Sequence, residues 1–231
     1  MRVTSESWWR VFFCHGSVYD HSMNRCAQLD DIRLTARKLL NLEEGSRMNQ
    51  AVQNSVIVRV STMEEVPQLN QLITQSAREL SKGFYTDEET EAAIEHVFGI
   101  DTALVKDGSY FTAEIDGKLA GCGGWSRRRT LYGGDQRPMG GAEFLDPQQD
   151  AARIRAFFIA PDAARRGVGT AIFNACKAAA RAQGFTALEL MATLPGVPFY
   201  KVLGFQKIED VADTLPNGVT IRFERMRLEL E

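Results

Sequence analysis

The segment that most narrows the possible folds runs Ile159-Ala-Pro-Asp-Ala-Ala-Arg165-Arg166-Gly167-Val168-Gly169-Thr170. An extended apolar stretch, Ile154 to Ile159, leads into a proline, then a basic turn with spaced glycines, then an amphipathic helix closing near Gly184. A helix that starts this way leaves its first backbone amides without intrahelical acceptors. Two arginines there add to the positive pole of the helix dipole, which is unfavourable unless an anion is held. The turn therefore reads as a site for a ligand carrying phosphates.

Two phosphate-binding loops fail against it. A P-loop places Lys and then Ser or Thr directly after its last glycine, whereas Val168 follows Gly167 and Thr170 follows Gly169. The dinucleotide fingerprint needs a third glycine three residues after the second, and that position is Ile172. The pattern instead resembles motif A of the GNAT superfamily of N-acetyltransferases, Gln/Arg-x-x-Gly-x-Gly/Ala. Here it reads Ala164-Arg165-Arg166-Gly167-Val168-Gly169, with Ala164 in place of the usual Gln or Arg. A second stretch, Pro198-Phe199-Tyr200-Lys201-Val202-Leu203-Gly204-Phe205, is similar to the superfamily's Phe-Tyr-x-x-Leu-Gly-Phe segment. That segment is a short helix carrying a tyrosine, closed by a glycine that turns the chain into the next strand.

Hydrophobic periodicity supplies the elements between these motifs. Val56 to Val60 reads as the first strand. The boxes Ser61-x-x-Glu64 and Thr86-x-x-Glu89 open two helices, the first with Val66, Leu69, Ile73, Ala77 and Leu80 as its apolar stripe. Tyr110–Ile115 and Leu119–Trp125, joined by Asp116-Gly117, read as a hairpin. Strands over Ile154–Ile159, Ala187–Met191, Lys207–Glu209 and Val219–Leu230 complete the order β-α-α-β-β-β-α-β-α-β-β. This is the order of the resembled superfamily over about residues 55–230. It implies an α/β (α+β) fold with a mixed, mostly antiparallel central sheet, splayed at an acetyl-CoA site and flanked by helices. The long polar connection from Arg127 to Asp150 is the one embellishment.

The resemblance also implies a chemistry. Acetyl-CoA is the expected co-substrate, with no metal. Main-chain groups of Phe157, Phe158 and Ile159 would pair with the pantetheine arm, and Arg165, Arg166, Gly167, Val168, Gly169 and Thr170 would hold the pyrophosphate. Tyr200 matches the tyrosine that protonates the departing thiolate; a phenol, with a reference pKa of about 10, is protonated at neutral pH. Thr193 stands where the superfamily has an asparagine. With no cysteine at the thioester position, direct attack by a primary amine in a ternary complex is expected.

Other readings stay open. The general base is a carboxylate among Glu189, Glu143, Asp146 and Asp150, or His96, or a chain of waters. Phe84 and Tyr85, between the first two helices, and Trp125 are candidates for the acceptor pocket; their alternative is ordinary core. Arg127-Arg128-Arg129 is either a selector for anionic acceptors or a solvated basic face. The acceptor is expected to be a small molecule, against two alternatives, a protein N-acetyltransferase and a noncatalytic acyl-CoA-binding regulatory module.

Composition excludes other classes. The 231 residues are 44% hydrophobic and 25% charged with a formal net charge of −3, which argues against general nucleic-acid binding. Cys14, Cys26, Cys122 and Cys176 lack zinc-site spacing, and Cys176 falls on the apolar face of the motif-A helix. No apolar run approaches the roughly 20 residues a bilayer-spanning helix requires, and a reduced, cytoplasmic setting is expected. Residues 1–47 read as an N-terminal extension, or as the product of a start codon placed upstream. An exposed strand edge near the C-terminus suits a homodimer.

Overall fold

The computed structural model describes residues 55–136 and 143–230. The expected extension over residues 1–47 lies outside them, as do Cys14 and Cys26. The elements are β1 (Val56–Val60), α1 (Val66–Leu80), α2 (Asp87–His96), α3 (Thr102–Lys106), β2 (Tyr110–Ile115), β3 (Lys118–Ser126), β4 (Ala152–Ile159), α4 (Val168–Ala182), β5 (Ala187–Thr193), α5 (Val197–Val202), β6 (Gln206–Thr214) and β7 (Thr220–Glu229). One seven-stranded sheet runs β1-β2-β3-β4-β5-β7-β6. Every neighbouring pair is antiparallel except β4 and β5, which are parallel. The sheet is thus mixed and mostly antiparallel, as expected.

Three local readings change. The first capping box sits one residue later, with the Thr62 amide donating to the Glu65 carboxylate at 2.8 Å. Ser61 is unavailable for capping because it is buried and its hydroxyl shares a 2.7 Å hydrogen bond with Thr112. Helix α3 is an addition; Asp101 caps it by accepting the Ala103 amide at 3.0 Å, and one turn is too short to show a periodicity. Strand β6 is longer than Lys207–Glu209, and its residues are mostly exposed, which erased the apolar alternation that marks a strand.

The helices cover the sheet through small and branched side chains. Helix α4 buries Val168, Ile172, Phe173, Cys176 and Ala180 and packs chiefly on β3. Helix α1 buries Leu69, Leu72, Ile73 and Ala77 and lies against β4 and α2. Leu80, the last member of its predicted stripe, is 36% exposed and stands at a cavity mouth instead.

Two irregularities in β4 position the site. The β4–β5 ladder contains only Ala152↔Leu188 and Arg153↔Glu189, so the strands part from Ile154 onward. On the other side, Cys122 faces Phe158 and Gly124 faces Arg155, which leaves Ala156 and Phe157 opposite Gly123. This two-against-one arrangement is a β-bulge, and Ala156 carries its strain at φ 52°. Gly123 makes the bulge possible: a Cβ there would lie 2.5 Å from the Phe157 ring.

Candidate active site

The parting of β4 from β5 opens a cavity of about 680 Å³. Its walls are the outer half of β4, the turn into α4, the start of α5 and one face of α1. Phe157, Phe158, Ile159, Arg165, Gly167, Val168, Gly169, Thr170, Thr193 and Tyr200 all line it. Arg166 does not, and it is exposed. Residues distant in sequence thus meet around one cavity.

The turn into α4 has the form an anion requires. Gly167 is the N-cap at φ 83°, a left-handed conformation costly for any residue with a Cβ, and no side chain caps the helix. The first intrahelical bond runs from the Ala171 amide to the Gly167 carbonyl at 3.0 Å. The amides of Val168, Gly169 and Thr170 therefore precede the ladder. Arg165, at φ 65°, lines the cavity beside them. Gly169 brings α4 close to α5, since a Cβ there would stand 3.0 Å from the Phe199 ring. The donor set therefore fits the phosphates of a CoA thioester, and the apolar β4 and α1 walls fit its pantetheine arm.

A second, smaller cavity of about 70 Å³ lies beside the first. The two share Phe98, Phe157, Phe158, Thr193 and Tyr200. Tyr200 is buried among aromatic rings, with centroids of Phe199, Phe205 and Phe157 at 5.2, 5.6 and 6.4 Å. Burial pushes its phenol well above the usual tyrosine range, so it holds its proton throughout the neutral and mildly alkaline range. Thr193 ends β5 directly opposite Phe223.

No carboxylate lines either cavity among the described residues. Glu189 is buried and engaged, 2.9 Å from Arg153 and 2.5 Å from Arg225, and it lines neither cavity. Glu143 pairs with Arg129 at 3.2 Å. Asp146 accepts the Gln148 amide at 3.0 Å, and Asp150 accepts the Asp146 amide at 2.9 Å. His96 sits at the end of α2, outside both cavity walls.

The aromatic candidates separate. Phe84, 45% exposed, lines the mouth of the large cavity. Tyr85 lines neither cavity; its hydroxyl donates to the Arg222 carbonyl at 2.6 Å and accepts the Leu194 amide at 2.9 Å, tying the α1–α2 loop to the end of β5. Trp125 is core, edge-on to Phe185 at 6.1 Å. Arg128 is paired with Asp107 at 2.8 Å, and both Arg127 and Arg128 stack on Phe144, which accounts for two of the three arginines as loop anchors.

Two contributors escaped the sequence reading. Ser76 is a buried hydroxyl within the α1 stripe, and it accepts the Ile159 amide at 3.2 Å. Arg155 is a charge in the middle of an apolar strand, with its side chain 3% exposed. Both carried the same signal, a polar residue at a position whose spacing demands burial.

The comparisons agree with this geometry. The family model described as Acetyltransferase (GNAT) family matches residues 74–205, more than half of the chain. No curated protein matches. Among solved structures, a GCN5-related N-acetyltransferase from Rhodopseudomonas palustris is similar at 19% identity and a TM-score of 0.57, over 76% of this chain and 96% of that one. PaiA N-acetyltransferase from Thermoplasma acidophilum, solved with coenzyme A, is similar at 13% identity and 0.51, over 76% and 99%. Ard1 from Thermoplasma volcanium is similar at 16% identity and 0.50, over 76% and 98%. At these identities the structural likeness carries the fold alone. Family match, strand order and the cavity at the turn into α4 together make the chain an acyltransferase belonging to the acetyltransferase (GNAT) family.

Proposed function

We propose that the protein transfers acetyl from acetyl-CoA to a primary amine of a small molecule, by direct attack in a ternary complex. The observation that carries this reading is the meeting of two cavities across the parted strands, walled in common by Phe157, Phe158, Thr193 and Tyr200. The large one takes the CoA thioester, with the phosphates at Gly167 to Thr170 and the pantetheine along Phe157 to Ile159. The small one takes the amine. When bound, acetyl-CoA would supply an activated acyl carbon and a thiolate leaving group.

The protein's own residues orient the reactants and manage the protons. The amine nitrogen forms a bond to the acetyl carbon while the carbon–sulfur bond breaks. Tyr200 gives its phenolic proton to the departing sulfur, a proton that burial keeps in place at neutral pH. The attacking nitrogen loses its proton to water, since no carboxylate of the described walls stands ready to take it. Tyr200 is then reprotonated from solvent.

Thiol release from acetyl-CoA across an amine panel tests the reading, together with Tyr200→Phe. General-acid loss should lower kcat by about 10²-fold or more while the KM values hold. Tyr200→Phe with unchanged turnover on every amine would remove the acid role. Acetyl-CoA binding without any transfer would mark a noncatalytic acyl-CoA-binding regulatory module. Transfer confined to polypeptide N-termini or lysines would mark a protein N-acetyltransferase.

A further inference from the structure

The small cavity identifies the class of amine, an inference that rests on the transferase reading above. Beyond the walls it shares with the donor cavity, it presents the apolar side chains of Val97, Leu131, Ile154, Leu190 and Phe223 beside the polar groups of Tyr132 and Arg155. Two of its polar side chains are already committed. The Tyr132 hydroxyl donates to Asp213 at 3.2 Å while its ring lies 5.7 Å from that of Phe223. The Arg155 guanidinium donates to Asp101 at 2.9 Å, to the Thr130 carbonyl at 3.1 Å and to the Gly133 carbonyl at 2.5 Å. Arg155 thereby fastens the 130–133 segment, which forms one wall of the cavity, onto the N-cap of α3.

These commitments decide between acceptor chemistries. A polyamine or aminoglycoside would bring further ammonium groups into a cavity whose described walls hold no carboxylate to pair with them, and an unpaired buried charge is strongly disfavoured. An amino acid would bring a carboxylate, but the guanidinium that could bind it is occupied by Asp101 and two carbonyls. A polypeptide would need an open groove, whereas about 70 Å³ is available. An uncharged apolar body brings no charge to be left unpaired and gains by leaving water.

We infer that the acceptor is a small primary monoamine with a compact apolar body, seated between Leu131, Phe223 and the β4 bulge, with its nitrogen directed to the wall shared by Phe157 and Tyr200.

The test uses the full-length protein, acetyl-CoA and thiol release with n-propylamine to n-hexylamine, isoamylamine, phenethylamine, spermidine, leucine, kanamycin and a short peptide. The expected kcat/KM for the best apolar monoamine exceeds those for spermidine, leucine, kanamycin and the peptide by at least about 10²-fold. Within the n-alkyl series kcat/KM should climb by about tenfold per methylene until the cavity is full, and then fall. In Leu131→Trp the KM for the larger monoamines should rise while the KM for acetyl-CoA holds. Preferred turnover of spermidine, leucine, kanamycin or the peptide would overturn the acceptor class and leave the transferase reading standing. A Leu131→Trp variant that alters only the acetyl-CoA KM would overturn the placement. Binding of acetyl-CoA with no acetylation of any amine would overturn the transferase reading, and this inference with it.

Discussion

The Tyr110 hydroxyl donates to the carbonyl of Ala156 at 3.0 Å, reaching from β2 past β3 to the strained residue of the β4 bulge. The ring passes over Gly124, where a Cβ would stand 2.7 Å from Tyr110 Cδ2. A fully buried phenol thus holds the irregularity that turns Phe157 toward Tyr200.

Tyr110→Phe removes that donor and leaves a buried carbonyl unsatisfied, at a cost of about 1–3 kcal/mol. At about 2–4 °C per kcal/mol for a domain of this size, differential scanning calorimetry should show a clear fall in Tm. Loosening of the bulge should also raise the KM for acetyl-CoA. An unchanged Tm would show that the hydrogen bond is not holding the bulge.

Gly123→Ala acts on the same feature from the other side. Its Cβ would stand 2.5 Å from the Phe157 ring, so the ring must swing into the space between the two cavities or the bulge must shift. Steady-state kinetics should show a fall in kcat larger than any rise in the KM for acetyl-CoA. Wild-type kcat in this variant would mean that Phe157 does not wall the reacting centre.

Glu189→Gln separates structure from chemistry. Losing the carboxylate leaves Arg153 and Arg225 short of a buried counter-charge, which costs about 3–5 kcal/mol when one partner of a buried pair is removed. Chemical denaturation should report that loss, and kcat measured well below the lowered Tm should be retained. A folded variant without activity would restore Glu189 as a candidate base.

The buried phenols set an alkaline limit. Burial pushes Tyr85 up to about 12 and moves Tyr110 and Tyr200 upward as well. Below pH 10 these groups are protonated in both folded and unfolded chains and leave stability unaffected. Above pH 10 the unfolded chain ionises first, so stability declines, for Tyr85 between about pH 10 and 12, by up to about 1.4 kcal/mol per pH unit for each phenol. Urea titrations from pH 8 to 11.5 should show this slope, reduced by one proton's worth in Tyr85→Phe. A flat profile would contradict the burial of these hydroxyls.

Much of this was legible in the sequence, for reasons that differ by element. The turn at Arg165–Thr170 is encoded locally by glycine spacing and charge, and Tyr200 by its own short helix, so both could be placed before any fold was known. The bulge could not, because it depends on Gly123 meeting Phe157 across two strands, and strand pairing has no signature within either strand. The partners of Glu189 were hidden for a related reason. Its alternation with Leu188 and Leu190 is real, yet only the sheet order brings Arg153 and Arg225 to it. The wall of the small cavity was hidden because nothing within β4 shows that Arg155 reaches back to anchor a loop some twenty residues earlier.

The two-rung ladder between β4 and β5 gives the protein a seam. Strands β1 to β4 and strands β5 to β7 each close their own hydrogen bonds, and at the join the ladder supplies two residue pairs, with the ion pairs of Glu189, the Tyr85 hydroxyl and the Tyr132–Asp213 hydrogen bond adding to them. A ligand bound in the opening by the folded chain alone stabilises it by mass action. Saturating acetyl-CoA should therefore raise the melting temperature of the protein, and the strands beside the opening should gain the most protection from hydrogen exchange.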